Sequence, residues 1–213
     1  MLPGQEVSES VRAEICRILD RIGAFKFGAF RLTSGKMSPY YIDLRIVPSF
    51  PDAFREVCGV YADFIRKRVG TTSFERVAGI PVAGIPFAAL IAYELRKPFL
   101  YTRRGVRRHG RERRIEGVIA PGDRVLLVDD LVTTGLSMQK AARTIVAEGG
   151  VVTDAVVLLD RQEGGGERLA RGGIVVDALL SVTDIASTLH ELGSIDEEQL
   201  KTILRQIRTG RRG

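Results

Sequence analysis

Apolar residues recur along this chain first at helical spacing and then as short unbroken runs. Residues 8–22 place Val11, Ile15, Ile18, Leu19 and Ile22 on one stripe, with Ser8 in position to cap the first turn and Gly23 just past the last. That spacing predicts an opening helix. Residues 51–69 repeat the pattern through Phe54, Val57, Cys58, Tyr61 and Ile65. Beyond them the periodicity alternates: runs at 76–80, 99–102, 124–128, 155–159 and 174–178 read as buried strands, while 84–95 and 135–148 read as helices. Strands alternating with helices predict an α/β fold, a twisted parallel sheet flanked by helices on both faces and joined by right-handed crossovers. In such a sheet ligands bind beyond the C-terminal ends of the strands. Ser194, Ile195, Asp196 and Glu197 read as a capping box opening a last helix through Leu200, Ile203, Leu204 and Ile207. The basic tail 208–213 is expected to fray.

Composition narrows the class. A chain of 213 residues, 45% hydrophobic and 27% charged, has the proportions of one globular domain with small additions, and disorder or fibrous repeats are excluded. The longest uncharged run, 77–93, falls short of the roughly 20 apolar residues a bilayer needs and is broken by Gly79, Pro81, Gly84 and Pro86, so no membrane association is expected. The N-terminus lacks a basic segment followed by an apolar stretch, which predicts no export signal and a cytoplasmic location. Cys16 and Cys58 sit in apolar helical patterns with no CxxC and no histidine at ligand spacing, so buried thiols are expected rather than a disulfide or a zinc site. Net charge is +6, and residues 103–114, with seven arginines and one glutamate, carry all of it. A nucleic-acid binder spreads its positive charge over a face. One short basic loop predicts no nucleic-acid partner.

Three segments carry candidate chemistry. In Val128-Asp129-Asp130-Leu131-Val132-Thr133-Thr134-Gly135-Leu136-Ser137 a buried strand is expected to end in two carboxylates, and a Thr-Thr-Gly turn then opens a helix. Small hydroxyl residues, a glycine and free helix-terminal amides make a phosphate cradle. Asp129 and Asp130 would be costly directly against a phosphate but suit sugar hydroxyls or a cationic transition state nearby. Phosphate plus polyol points to a ribose 5-phosphate. Neither GxxxxGK[ST] nor a strand-linked GxGxxG is present, so nucleotide hydrolase and dinucleotide readings lack their fingerprints. The turn at 78–86, rich in glycine and proline, exposes amides to a second phosphate or serves only as a turn. The arginine-rich stretch 101–114, bounded by Gly105, Gly110 and Gly117 and containing His109, reads as a mobile cationic loop able to close over a polyanion, with a solvated surface loop or an RNA contact as the alternatives.

Together these segments resemble type I phosphoribosyltransferases, whose paired aspartates bind the ribose of phosphoribosyl pyrophosphate (PRPP). Two more narrow the likeness: residues 26–43 resemble the N-terminal lid, or hood, segment of the orotate phosphoribosyltransferases, and 159–165 resemble their orotate-binding turn. The likeness runs from about residue 22 to residue 166 in family order. It implies a phosphoribosyltransferase fold with a hood and a mobile basic loop, an N-terminal helix and lid over 1–50, an α/β core over 70–180 and C-terminal helices over 181–213, all in a single domain. It further implies that Asp129 and Asp130 contact the ribose, that Leu131, Val132, Thr133, Thr134, Gly135, Leu136 and Ser137 hold the 5-phosphate, and that Arg103, Arg104, Arg107 and His109 bind pyrophosphate from a neighbouring subunit of a homodimer. Arg107, His109, Asp129 and Asp130 would then be the catalytic group, Thr133, Arg161 and Tyr41 would contact orotate, and Mg2+ would ride mainly on PRPP with no protein ligand assigned. A guanidinium at Arg161 also makes sense on its own, since orotate is a small planar anion and arginine a planar fork of donors.

The chain departs from the family pattern at four positions. Arg104 and Arg107 stand where lysines are usual, and Ala83 and Thr33 stand where the phosphate turn and the lid often carry lysines. Arginine keeps the charge but cannot release a proton at neutral pH, so proton transfer within the loop would fall to His109. Two rivals remain at this stage: a phosphoribosyltransferase for another base, and a PRPP-sensing or RNA-binding regulator of the same fold.

Overall fold

The computed structural model describes residues 8–31, 37–103 and 114–210. The opening stripe forms helix α1 (Glu9–Arg21), capped by Ser8, whose side chain accepts a hydrogen bond from the Val11 amide, and it turns Ile15, Cys16, Ile18 and Leu19 inward. Strands β1 (Phe25–Arg31) and β2 (Met37–Ile42) pair antiparallel as a hairpin of their own. A 3-10 turn over Leu44–Ser49 leads into α2 (Pro51–Arg68), where Pro51 begins the helix at the position that needs no amide. Next come β3 (Arg76–Gly79), α3 (Gly84–Glu94), β4 (Phe99–Thr102) and the short β5 (Ile115–Glu116). β6 (Val125–Val132), α4 (Leu136–Ala147), β7 (Asp154–Asp160), α5 (Gly165–Arg171) and β8 (Val175–Ser181) continue the alternation. Helices α6 (Val182–Glu191) and α7 (Glu197–Gly210) close it.

The second sheet has the order β5-β4-β3-β6-β7-β8, parallel throughout except for β5 at the edge. From β3 the chain winds outward to β4, then returns to β6 and winds outward the other way through β7 and β8. The reversal falls between β3 and β6, and a doubly wound sheet opens its ligand crevice at that switch point. One face of the sheet, with Leu126, Val128, Val156 and Leu158, packs against α1, the hairpin, α2, α3, α6 and α7. The other face, with Leu127 and Val157, packs against Met138, Ala141 and Ile145 of α4 and Leu169 of α5. Central strands buried on both faces explain the near-continuous apolar runs in the sequence. Cys16 and Cys58 are free and buried, as expected, and burial pushes the Cys16 thiol up to about 12, which leaves it unreactive. No helix among the described residues is long and apolar enough to cross a membrane.

Two local expectations shift. The strand expected to stop at Val128 runs on to Val132, because Asp129, Leu131 and Val132 stay in register with Val157, Leu159 and Asp160 of β7. Ladder pairing outweighs the break in hydrophobicity. The last helix is capped two residues later than the sequence suggests. The Asp196 carboxylate accepts from the Gln199 amide at 2.7 Å and the Gln199 side chain accepts from the Asp196 amide at 2.9 Å, while Ser194 donates instead to Asp20 at 2.7 Å. Ile195, 3% exposed, is drawn into the core and so cannot serve as the first residue of a solvent-facing turn.

Candidate active site

β3 ends at Gly79, level with Val128, so β6 extends past its neighbour and carries Asp129 to Val132 over the sheet's C-terminal edge. There an open cleft of about 560 Å³ is lined by the turn Pro81-Val82-Ala83, by Asp129 and Asp130, by Leu131 to Met138, and by Arg45. The Pro81–Val82 peptide in that turn is cis. Asp129 and Asp130 are 7% and 8% exposed. The Tyr61 hydroxyl donates to the Asp129 carbonyl at 3.1 Å and pins the strand from below. Burial pushes the Asp130 carboxyl above its ordinary value.

Close approach requires glycine at residue 84. A Cβ there would fall 2.9 Å from the Asp129 Cα and closer still to its carboxylate, so the start of α3 packs flush against the acidic strand. Gly84→Ala is therefore expected to cost about 1–3 kcal/mol by overpacking and to lower turnover by displacing Asp129. Thermal melts alongside an activity assay check it, and an unchanged midpoint would show that the strand yields.

The turn after β6 fits an anion. Gly135 takes φ +75° and caps α4 without a side chain, so the first amides of that helix stay open to a ligand and the helix dipole favours negative charge there. Thr134, Leu136 and Ser137 are exposed at its rim, Thr133 is half-buried, and Val132 and Gly135 are buried beneath them.

Arg161 follows β7, its amide donating to the Val132 carbonyl at 3.0 Å, one strand over from the turn that opens α4. Its side chain is buried, yet Nε and Nη2 lack a hydrogen-bond partner. Glu163 lies 3.0 Å from Nη2 as an ion pair whose geometry is not that of a hydrogen bond. The guanidinium carbon sits 5.4 Å from the centroid of the Tyr40 ring. Buried polar groups are normally satisfied, so a buried guanidinium with two nitrogens short of a hydrogen bond has capacity left for a planar anion.

Not every residue singled out in the sequence converges on this place. Tyr41 packs against Phe30 at 5.7 Å and accepts from Arg45 at 2.6 Å, and its neighbour Tyr40 is the tyrosine against Arg161. Arg103 is tied at the sheet edge, its side chain paired with Glu116 and its amide donating to the Arg114 carbonyl at 2.9 Å. Arg104, Arg107, His109 and Thr33 lie outside the described residues. Arg45, Tyr40 and Glu163 were not picked out from the sequence. Alternation along β2 holds a signal for Tyr40, since Ser38, Tyr40 and Ile42 share the buried face. Nothing local marks Arg45.

A doubly wound sheet with paired aspartates and a turn that fits an anion at its switch point is the arrangement expected of a phosphoribosyltransferase, and the comparisons show that family. Residues 54–173 match the phosphoribosyl transferase domain family. An orotate phosphoribosyltransferase of Staphylothermus marinus is 42% identical over 191 residues, 90% of this chain and 92% of the relative. The crystal structure of an orotate phosphoribosyltransferase from Aeropyrum pernix superposes with a TM-score of 0.71 at 31% identity, covering 84% of this chain and 99% of that one. The UMP synthase of Leishmania donovani superposes with a TM-score of 0.85 at 31% identity, over 94% of this chain and 43% of that longer chain. The chain belongs to the phosphoribosyltransferase family and, within it, to the orotate phosphoribosyltransferases.

Proposed function

We propose that this chain transfers the 5-phosphoribosyl group of PRPP to orotate, giving orotidine 5-phosphate and pyrophosphate, in the synthesis of pyrimidine nucleotides. The observation that carries the choice of base is Arg161, a buried guanidinium with two unmet donors beside the cleft. A planar carboxylate satisfies those donors; a neutral base leaves them unpaired and gains nothing from the charge. Tyr40 beneath the guanidinium fixes the plane of the fork.

The bond from the anomeric carbon to pyrophosphate breaks early in such a transfer, so the protein's work is to position reactants and stabilise separating charge. Asp129 and Asp130 receive the ribose hydroxyls and lie against the cationic sugar. The segment from Leu131 to Ser137 anchors the 5-phosphate, with Thr133 also facing orotate. The orotate ring nitrogen attacks as an anion stabilised by its own carbonyls, so no strong protein base is needed.

Carboxylates at Asp129 and Asp130 offer the hard oxygens that suit Mg2+, an ion that keeps water and substrate phosphates as most of its ligands. Mg2+ would enter mainly on the phosphate oxygens of PRPP, and no protein ligand is assigned to it. Bound with PRPP, Mg2+ would supply positive charge to offset that of the pyrophosphate. Arg103, Arg104, Arg107 and His109 belong to the basic loop that, in a homodimer, binds that leaving group across subunits. The proposed location is the cytoplasm.

Orotate consumption, followed spectrophotometrically with PRPP and Mg2+ and with uracil and hypoxanthine as controls, tests the proposal. Rapid loss of orotate alone is expected. Turnover of a neutral base, or none at all despite PRPP binding, would replace it with another transferase or with a sensor.

A further inference from the structure

Arg45 lines the cleft and has no part in the assignments above. It reaches the site by a defined route. Asp43 leaves the hairpin with its amide donating to the Ala24 carbonyl at 2.9 Å, and the next turn is anchored by Leu44 and Val47, both buried. Arg45 is then clamped at three points: Nε donates to Asp43 Oδ1 at 2.7 Å, Nη2 to Asp43 Oδ2 at 2.9 Å, and Nη2 to the Tyr41 hydroxyl at 2.6 Å. Tyr41 is itself held against Phe30. A surface ion pair contributes little to stability, and holding a long side chain in one geometry costs entropy, so such a clamp is poorly explained as structural glue. Among the described residues no hydrogen-bond partner is found for Nη1, and the side chain is 60% exposed.

Charge in the cleft gives that free edge a purpose. The charged side chains lining it among the described residues are Asp129, Asp130 and Arg45, so Arg45 is the one cation there. The proposed substrate is a polyanion, and its two ends have different needs. Open amides in the turn from Leu131 to Ser137 receive the 5-phosphate, and the aspartates receive the sugar. The elements left over are Arg45 and the turn Pro81-Val82-Ala83, where Ala83 offers only a methyl group. Within one subunit the pyrophosphate end therefore falls to them, alongside the basic loop proposed above to reach it from the partner subunit.

We propose that Arg45 is a pyrophosphate-binding residue acting within its own subunit, supplying from the hairpin the fixed positive charge that the turn after β3 lacks. This rests on the PRPP reading of the cleft. Bound at Nη1, the pyrophosphate is held by a guanidinium already oriented by Asp43 and Tyr41. Pre-organisation of this kind keeps the entropy of ordering a long side chain out of the binding step.

Calorimetric titration of the full chain, with Mg2+ present, tests it using PRPP, pyrophosphate and ribose 5-phosphate as separate ligands. Arg45→Gln is expected to weaken PRPP and pyrophosphate about 10- to 100-fold, the loss of one or two charge-assisted hydrogen bonds, and to change ribose 5-phosphate less than about threefold. Arg45→Lys should recover part of the loss, since it keeps the charge without the fork, and it guards against a glutamine variant that fails to fold. Unchanged PRPP affinity in either folded variant would overturn the proposal. So would an equal loss for all three ligands, which would mean that Arg45 shapes the cleft rather than binding pyrophosphate. If the unaltered protein binds none of the three, the substrate assignment itself fails, and this role for Arg45 falls with it.

Discussion

Asp130→Asn is expected to lower kcat about 100-fold or more while raising the thermal midpoint at neutral pH. The activity loss follows from removing a carboxylate that the proposed reaction sets beside developing positive charge, where a single preorganised group is worth about 10²- to 10³-fold. The stability gain follows from burial. Asp130 is 8% exposed and its carboxyl is raised above the ordinary value, chiefly by desolvation. An acid raised in the folded state binds its proton more tightly there than in the unfolded chain. Its favourable contribution is therefore present below the unfolded value and lost as pH rises through the folded one. At neutral pH the charged form is a net cost, and asparagine keeps the shape and the acceptor oxygen without it. Melting curves from pH 4 to 8 should show the unaltered protein losing stability relative to the variant as pH rises. A variant less stable at pH 7 would mean that Asp130 and its neighbours form a favourable network even without substrate.

A second large effect is expected at Arg161. Arg161→Met should raise KM for orotate about 100-fold or more, leave KM for PRPP within a few-fold, and abolish discrimination against uracil by a similar factor. Its thermal midpoint should hold or rise. Methionine fills the space, and it removes a buried guanidinium two of whose nitrogens lack a hydrogen-bond partner. Glu163, left without its partner, has a side chain 24% exposed and regains water. Arg161→Lys should raise KM for orotate about tenfold, because a point charge does not reproduce the planar fork. If KM for PRPP rises as much as that for orotate, Arg161 is supporting the phosphate turn rather than reading the base. The two substitutions share a signature of lost function without lost stability, which marks residues that the fold holds at a cost for use by a substrate.

Most of the fold was legible because it is written in local periodicity. The stripe of Ile15, Ile18 and Leu19 and the run through Val77 announce elements whose observed bounds differ by a residue or two from those expected, and the run through Leu127 announces the start of β6. β6 was read short because its last four residues begin with two carboxylates, and only the ladder to β7 keeps them extended. The late start of α7 has a similar cause, since Ser194 is claimed by Asp20, a residue 174 positions away. Both differences arise where a long-range partner outbids a local preference.

The candidate site divides along the same line. Asp129, Asp130 and the turn from Leu131 to Ser137 are contiguous, so a strand end, an acid pair and a turn suited to an anion can be read together from ten residues, and local pattern was enough to give the class of protein. Arg161 was legible as a charge suited to an anion. That its donors are buried and unmet belongs to the folded chain alone. Tertiary structure also decided which tyrosine faces that guanidinium, and it carried Arg45 to within the same cleft as an aspartate pair more than eighty positions along the chain. Local pattern records which face of an element is buried, but it holds no information on which distant face will meet it. That meeting is set by how the sheet winds and where the hairpin packs, and it is there that this protein completes its site.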